Sequence, residues 1–215
     1  MAYDSDTTLD LSRYASLIDL IELASARYGD KVAYSCLGKE TSFNEINRYS
    51  RQFAAYLQQE TNLVQGDRIA IQLPNITQFV IAAYGAIKAG MVLVNTNPLY
   101  TQRELIHQFN DSGAKALVVL SDLLPTLTEV VENTGIETVI STHAMDLIAP
   151  QPQPEVPFAT VSFCDVLEKG QTLTYAAVIS VSGQIAALQY TGGTTGLSKG
   201  AMLTHGNLIA NAMQI

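Results

Sequence analysis

The stretch YTGGTTGLSKG, residues 190–200, concentrates groups suited to holding an anion. Phosphate binding needs several backbone N–H groups aimed at one point. Glycine allows this because it reaches positive φ and lets the backbone come close. Gly192, Gly193, Gly196 and Gly200 supply that freedom, while Thr191, Thr194, Thr195 and Ser198 add hydroxyls. Lys199 adds a point charge, and Leu197 and Ala201 complete the run. The stretch is expected to grip a polyphosphate. Two common loops do not fit it. A Walker loop reads GxxxxGK followed by Ser or Thr, but here Lys199 precedes Gly200 and Ala201. A dinucleotide loop reads GxGxxG, and Gly192, Gly193 and Gly196 have the wrong spacing for it.

Such a loop needs a rigid frame, and the upstream pattern predicts one. Residues 16–30 place apolar side chains at 17, 20, 21 and 24, a helix face, with Ser16 as start and Gly29 as stop. Residues 31–36 read as a short strand. Ser42 and Glu45 form an S-x-x-E capping box, followed at helical spacing by Phe43, Ile46, Phe53 and Leu57. A turn at 64–67 leads to a strand at 68–73, broken by Pro74-Asn75. A buried helix over 77–89, a strand over 91–95, and a second capping box at Thr101 and Glu104 come next. The helix opened there ends near Gly113. A strand over 116–120, a helix near 124–133 and a strand near 137–140 follow. Strands alternating with helices predict an α/β fold with a mostly parallel sheet flanked by helices.

Residues 149–157, APQPQPEVP, hold four prolines and are denied helix and central strand. They are expected to separate 1–148 from the 158–215 segment that carries the glycine loop. Two short apolar segments flank that loop, so it should sit between two strands. Thr204 is placed to cap a helix beginning near His205. That helix is still apolar at Ile215, so the chain is expected to be part of a longer protein, with apolar surface that would favour self-association.

Bulk composition narrows the partners. The chain has 215 residues, 47% of them hydrophobic, and 12 Lys and Arg stand against 20 Asp and Glu, for a net charge of −8. A nucleic-acid backbone would be repelled, though one local anion site is allowed. Cys36 and Cys164 lie far apart and read as free thiols. The N-terminus lacks a basic-then-apolar signal pattern. The longest apolar stretch, residues 79–94, is interrupted by Lys88 and two glycines and is too short to span a bilayer. A soluble cytoplasmic protein is expected. His107 reads as a surface or packing residue on a capped helix and His143 as a loop residue with no partner in view, no His pair has metal-ligand spacing, and His205 and Asn207 either line the loop site or start a helix.

The loop resembles the phosphate-binding loop of the adenylate-forming enzymes: acyl-CoA synthetases, adenylation domains and luciferase-like proteins. Their pattern runs Tyr or Phe, Thr, Ser or Gly, Gly, Ser or Thr, Thr, Gly, any residue, Pro or Ala, Lys, Gly. Tyr190, Thr191, Gly192, Gly193, Thr194, Thr195, Gly196, Lys199 and Gly200 stand in register with it. Gly192 replaces the commoner Ser, as in bacterial long-chain fatty acid ligases, and Ser198 replaces Pro, which loosens the loop. The segments SFNEINRYSRQFAAYL, NTNPLYTQRELIHQ and LQYTGGTTGLSKGAMLTHGNL are similar to the N-terminal part of such ligases. The resemblance implies the first subdomain of a larger adenylation domain. It also implies ATP-dependent activation of a long-chain fatty acid to acyl-AMP, then transfer to coenzyme A. Mg²⁺ would assist, no nucleic acid would bind, any membrane contact would be peripheral, at the inner membrane, and a homodimer is allowed. Lys199 would neutralise departing pyrophosphate, and Thr194 and Thr195 would bind phosphate oxygens or help hold Mg²⁺. The family's acidic residues for ribose and Mg²⁺, and its C-terminal lysine, would lie downstream of Ile215. Related readings are a short-chain or aromatic acid ligase, or a nucleotide-binding module without catalysis.

Overall fold

The structure, a computed structural model, describes residues 14–191 and 198–214. The two capping boxes form as their sequences predict. Helix α2 (Phe43–Glu60) starts where Ser42 Oγ accepts from the Glu45 N–H at 3.2 Å and the Glu45 carboxylate accepts from the Ser42 N–H at 2.9 Å. Helix α4 (Gln102–Ser112) repeats the arrangement with Thr101 and Glu104. Each box satisfies two N–H groups that the first helical turn leaves without partners. Helix α1 (Leu17–Tyr28) precedes strand β1 (Val32–Cys36). A turn with positive φ at Leu37 and Gly38 then leads into strand β2 (Lys39–Ser42), which the sequence reading missed. KETS is too polar to read as a strand, and it forms because a two-residue turn of this hand folds it back antiparallel on β1.

The main sheet holds β3 (Arg68–Gln72), β4 (Val92–Asn95), β5 (Ala114–Leu120), β6 (Thr138–Thr142), β7 (Val161–Ser162), β8 (Ile185–Thr191) and β9 (Lys199–Thr204). Among the described residues its order is β7-β6-β5-β3-β4-β8-β9, parallel throughout except for β9 against β8. The α/β fold with a mostly parallel sheet is thus as expected. Both faces are covered, which explains why the central strands read as unbroken apolar runs. Along β5 the side chains alternate: Ala116 and Val118 join one core, Leu117 and Val119 the other.

The first core lies under α1, α2, α3 (Thr77–Lys88) and α6 (Phe163–Thr172). Two glycines let these helices touch. A Cβ at Gly85 would lie 2.8 Å from Phe53 Cβ and from the Ser50 carbonyl, and one at Gly170 would lie 2.1 Å from the Gln52 carbonyl. Helix α6 was not foreseen, although Phe163, Val166, Leu167 and Gly170 follow helical spacing and Ser162 caps it by accepting from the Asp165 N–H. The second core lies under α4 and α5 (Thr128–Glu132). The helix expected near 124–133 is divided: Ser121–Thr126 is a 3-10 stretch, and α5 is only five residues long. Pro125 lies inside the first piece and cannot donate to an α-helical ladder. Residues 149–157 form neither helix nor strand, and the chain then returns to the same sheet through β7 and β8.

Candidate functional site

Strands β8 and β9 are the two flanks of the glycine loop. They pair antiparallel, with Tyr190 opposite Gly200 and Thr191 opposite Lys199. Gly192, Gly193, Thr194, Thr195, Gly196 and Leu197 lie outside the described residues, so the structure places the stem of the loop: Tyr190, Thr191, Ser198, Lys199, Gly200 and Ala201. Because β8 runs parallel to β4, this stem stands at the carboxyl edge of the sheet. Open α/β sheets bind ligands outside that edge, where connections leave for opposite faces.

The stem is built tightly on one side. Tyr190 is buried, and its hydroxyl donates to Asp111 Oδ2 at 2.6 Å. Burial, reinforced by the Asp111 carboxylate, pushes the phenol well above its ordinary value, so it stays a donor. Gly200 lies against the face of that ring, and a Cβ there would meet Tyr190 Cε2 at 2.9 Å and Cζ at 3.0 Å. The pattern's glycine after lysine therefore has a packing reason in this chain. His107 Nε2 stands 3.0 Å from the Ser198 carbonyl, which only accepts, so the ring donates. Beneath the stem, Asn95 Nδ2 donates to Gln189 Oε1 at 2.8 Å, tying β4 to β8, and Gln108 Nε2 donates to the Asn95 carbonyl at 3.0 Å.

Lys199 is exposed and takes part in no ion pair among the described residues. It begins β9 opposite Thr191, at the open end of the described stem. The described residues contain no group of three or more His, Cys, Asp or Glu arranged to hold a metal ion.

One open choice is settled and one expectation changes. Of the two roles open to His205 and Asn207, the structure shows the helix start, away from the described loop stem. They begin helix α7 (His205–Met213), which lies past the far end of β9, roughly 15–20 Å along the strand from Lys199. Asn207 is taken up in a capping box with Thr204, whose hydroxyl accepts from the Asn207 N–H at 3.1 Å. His205 is buried, burial lowers its basicity, and its Nδ1 accepts from the Leu17 N–H at 3.2 Å. His107, read as surface or packing, instead bonds to the loop stem. Asp111, Gln108 and Gln189 were also missed. The available signal was that His107 and Asp111 are four residues apart on a capped helix and share one face.

A mostly parallel sheet covered by helices on both faces, with the two strands that flank the Gly- and Thr-rich run at its carboxyl edge, defines the chain as an α/β protein. Residues 21–215 match the family described as AMP-binding enzyme, and the chain belongs to that family. It is 42% identical over 227 residues to a long-chain-fatty-acid–CoA ligase of Escherichia coli O6:H1, covering 99% of this chain and 40% of that protein. A Bacillus subtilis protein of the same name is 35% identical over 212 residues, covering 91% of this chain and 38% of its own. The crystal structure of a long-chain-fatty-acid–CoA ligase from Archaeoglobus fulgidus matches with a TM-score of 0.77 at 31% identity, over 93% of this chain and 39% of that one. The chain thus spans about 40% of the length of the E. coli relative. No helix among the described residues is long and apolar enough to cross a membrane.

Proposed function

We propose that this chain carries the phosphate grip of an enzyme that activates a long-chain fatty acid with ATP and passes it to coenzyme A. A fatty carboxylate is a poor electrophile at neutral pH. In the first step a carboxylate oxygen attacks the α-phosphorus, the bond to the bridging oxygen breaks, and pyrophosphate leaves with its electron pair. In the second the thiol sulfur attacks the acyl carbon, AMP leaves, and the thiol proton goes to solvent. Charge gathers on the leaving pyrophosphate, so positioning and electrostatic stabilisation carry most of the first step.

The residues take roles on this reading. Tyr190, Thr191 and Gly200 hold the hairpin stem. Gly192, Gly193 and Gly196 offer backbone donors, Thr194 and Thr195 offer hydroxyls, and Lys199 meets the departing charge. Leu197, Ser198 and Ala201 complete the loop. Mg²⁺, when bound, would screen the triphosphate, and no described residue is assigned to it. Fatty acid, ATP and coenzyme A are the partners. Cytoplasmic localisation, contact with the inner membrane only at its surface, and a homodimer belong to the same reading.

The observation that carries it is the pairing of Thr191 with Lys199, which brings together the two ends of the TGGTTGLSK run at a lysine that has no ion-pair partner among the described residues. The test is palmitate-dependent ATP–pyrophosphate exchange by the full-length gene product. Exchange should be present and should fall about 10²–10³-fold in Lys199→Ala, the usual cost of one preorganised charge-stabilising group. Exchange with short or aromatic acids but not palmitate would move the substrate class. ATP binding without exchange on any acid would leave a nucleotide-binding module.

A further inference from the structure

We infer that His107 is a positioning residue for Lys199, acting through the peptide bond that joins Ser198 to it. This inference rests on the proposed role of Lys199. The carbonyl of Ser198 and the nitrogen of Lys199 belong to one planar unit, so fixing that oxygen fixes the direction in which Lys199 leaves the loop. His107 Nε2 donates to that oxygen at 3.0 Å. Lysine itself cannot supply such direction, because its ammonium rides on a flexible four-carbon stem.

Helix α4 is well placed to impose the constraint. Its first turn is locked by the Thr101–Glu104 capping box, and Leu105 and Phe109 are sunk in the second core at 2% and 0% exposure. His107 and Asp111 project from one side of it, four residues apart. Asp111 holds the incoming strand through the Tyr190 hydroxyl, and His107 holds the outgoing strand through Ser198. One rigid helix therefore clamps both feet of the glycine loop. The position before Lys199 is Ser rather than a residue with a fixed φ, so an external tie replaces the stiffness that the backbone lacks.

The test uses the full-length gene product with His107→Ala and His107→Gln. The Gln side chain keeps an N–H donor at similar reach, and the Ala side chain removes it. His107→Ala should lower kcat/KM for ATP in pyrophosphate exchange about tenfold, one hydrogen bond's worth, and His107→Gln should return to within about twofold of wild type. The KM for palmitate and the urea midpoint should be unchanged in both. Wild-type kcat/KM for ATP in the Ala variant overturns the inference. So does a Gln variant as impaired as Ala, or a loss that tracks unfolding or palmitate KM. Should the wild type show no exchange with any acid, the functional reading fails separately. The ATP dissociation constant then decides: weaker in Ala and restored in Gln sustains the clamp, and equal constants overturn it.

Discussion

The two lysines at positions 88 and 199 stand on opposite sides of the molecule's division of labour. Lys88 is wholly buried between α1, α2 and α3, where its ammonium meets Glu22 Oε1 at 2.9 Å and the Asn47 side-chain oxygen. Arg51 completes the node, 2.6 Å from the other Glu22 oxygen. Burial lowers the basicity of Lys88, and Glu22 opposes the shift. Every charge in that node faces a partner within it. Lys199 stands exposed at a hairpin mouth with no ion-pair partner among the described residues. Burial and pairing make a lysine structural, whereas exposure with a held backbone leaves its charge available to a ligand. The helices follow the same division. Those over the first core pack on one another, while α4 on the other face turns polar side chains toward Tyr190 of β8 and Ser198, the residue just before β9.

Exchanging the lysines' consequences is the sharpest way to break this contrast. Lys199→Ala should cost activity by about 10²–10³-fold yet leave the urea unfolding free energy within about 0.5 kcal/mol of wild type. A large loss of stability in that variant would mean the lysine is structural after all. Gly170→Ala tests the packed face alone. Its new methyl group would collide with the Gln52 carbonyl, so unfolding should become easier by about 3 kcal/mol, with the KM for ATP unchanged in whatever enzyme remains folded.

Lys88→Met keeps most of the volume and removes the charge. Glu22 is part-exposed and retains Arg51, so the expected cost is about 1–2 kcal/mol, below the figure for stranding a fully buried ion. Its pH signature is more telling. Burial raises the Glu22 carboxyl, but hydrogen bonds from Arg51, Lys88 and Asn47 and the Lys88 charge outweigh it and hold the group at about 2 against an ordinary 4.5. A carboxyl depressed in this way stabilises fully above 4.5 and progressively less as pH falls to about 2. Without Lys88, Glu22 moves back toward 4.5, so the urea midpoint should fall less steeply between those pH values. An unchanged acid limb would show that Arg51 alone sets the carboxyl.

What the chain reveals in advance follows the range of the interactions. The Ser42–Glu45 and Thr101–Glu104 boxes are four-residue events, and both appear where the sequence puts them. Central strands are legible because burial on both faces leaves apolar runs. Strand β2 depends on a turn hand that Leu37 does not advertise, and where α6 docks is set by Gly170 meeting a backbone carbonyl of α2, although its own spacing and Ser162 cap are local. The glycine loop is readable as a composition, but its clamp is not. His107 reaches a residue 91 positions away and Asp111 one 79 positions away, and neither distance leaves a local mark. Burial of Lys88 is hidden likewise, since its partner lies on another helix.

Tyr190→Phe gives the smallest effect and tests whether the clamp needs both feet. Phe keeps the ring that Gly200 packs against, so only the hydroxyl and its bond to Asp111 are lost. Asp111 is exposed and rehydrates, which limits the cost to about 1 kcal/mol or less in unfolding free energy. If the incoming strand is held mainly by its ladder with β4 and β9, exchange should fall only about twofold to threefold, less than in His107→Ala. The outgoing strand β9 pairs with β8 alone among the described residues, so its foot relies more on a side-chain tie. A loss in Tyr190→Phe equal to that in His107→Ala would show that the loop is fixed by both ties together and that the edge position of β9 is not what makes His107 matter.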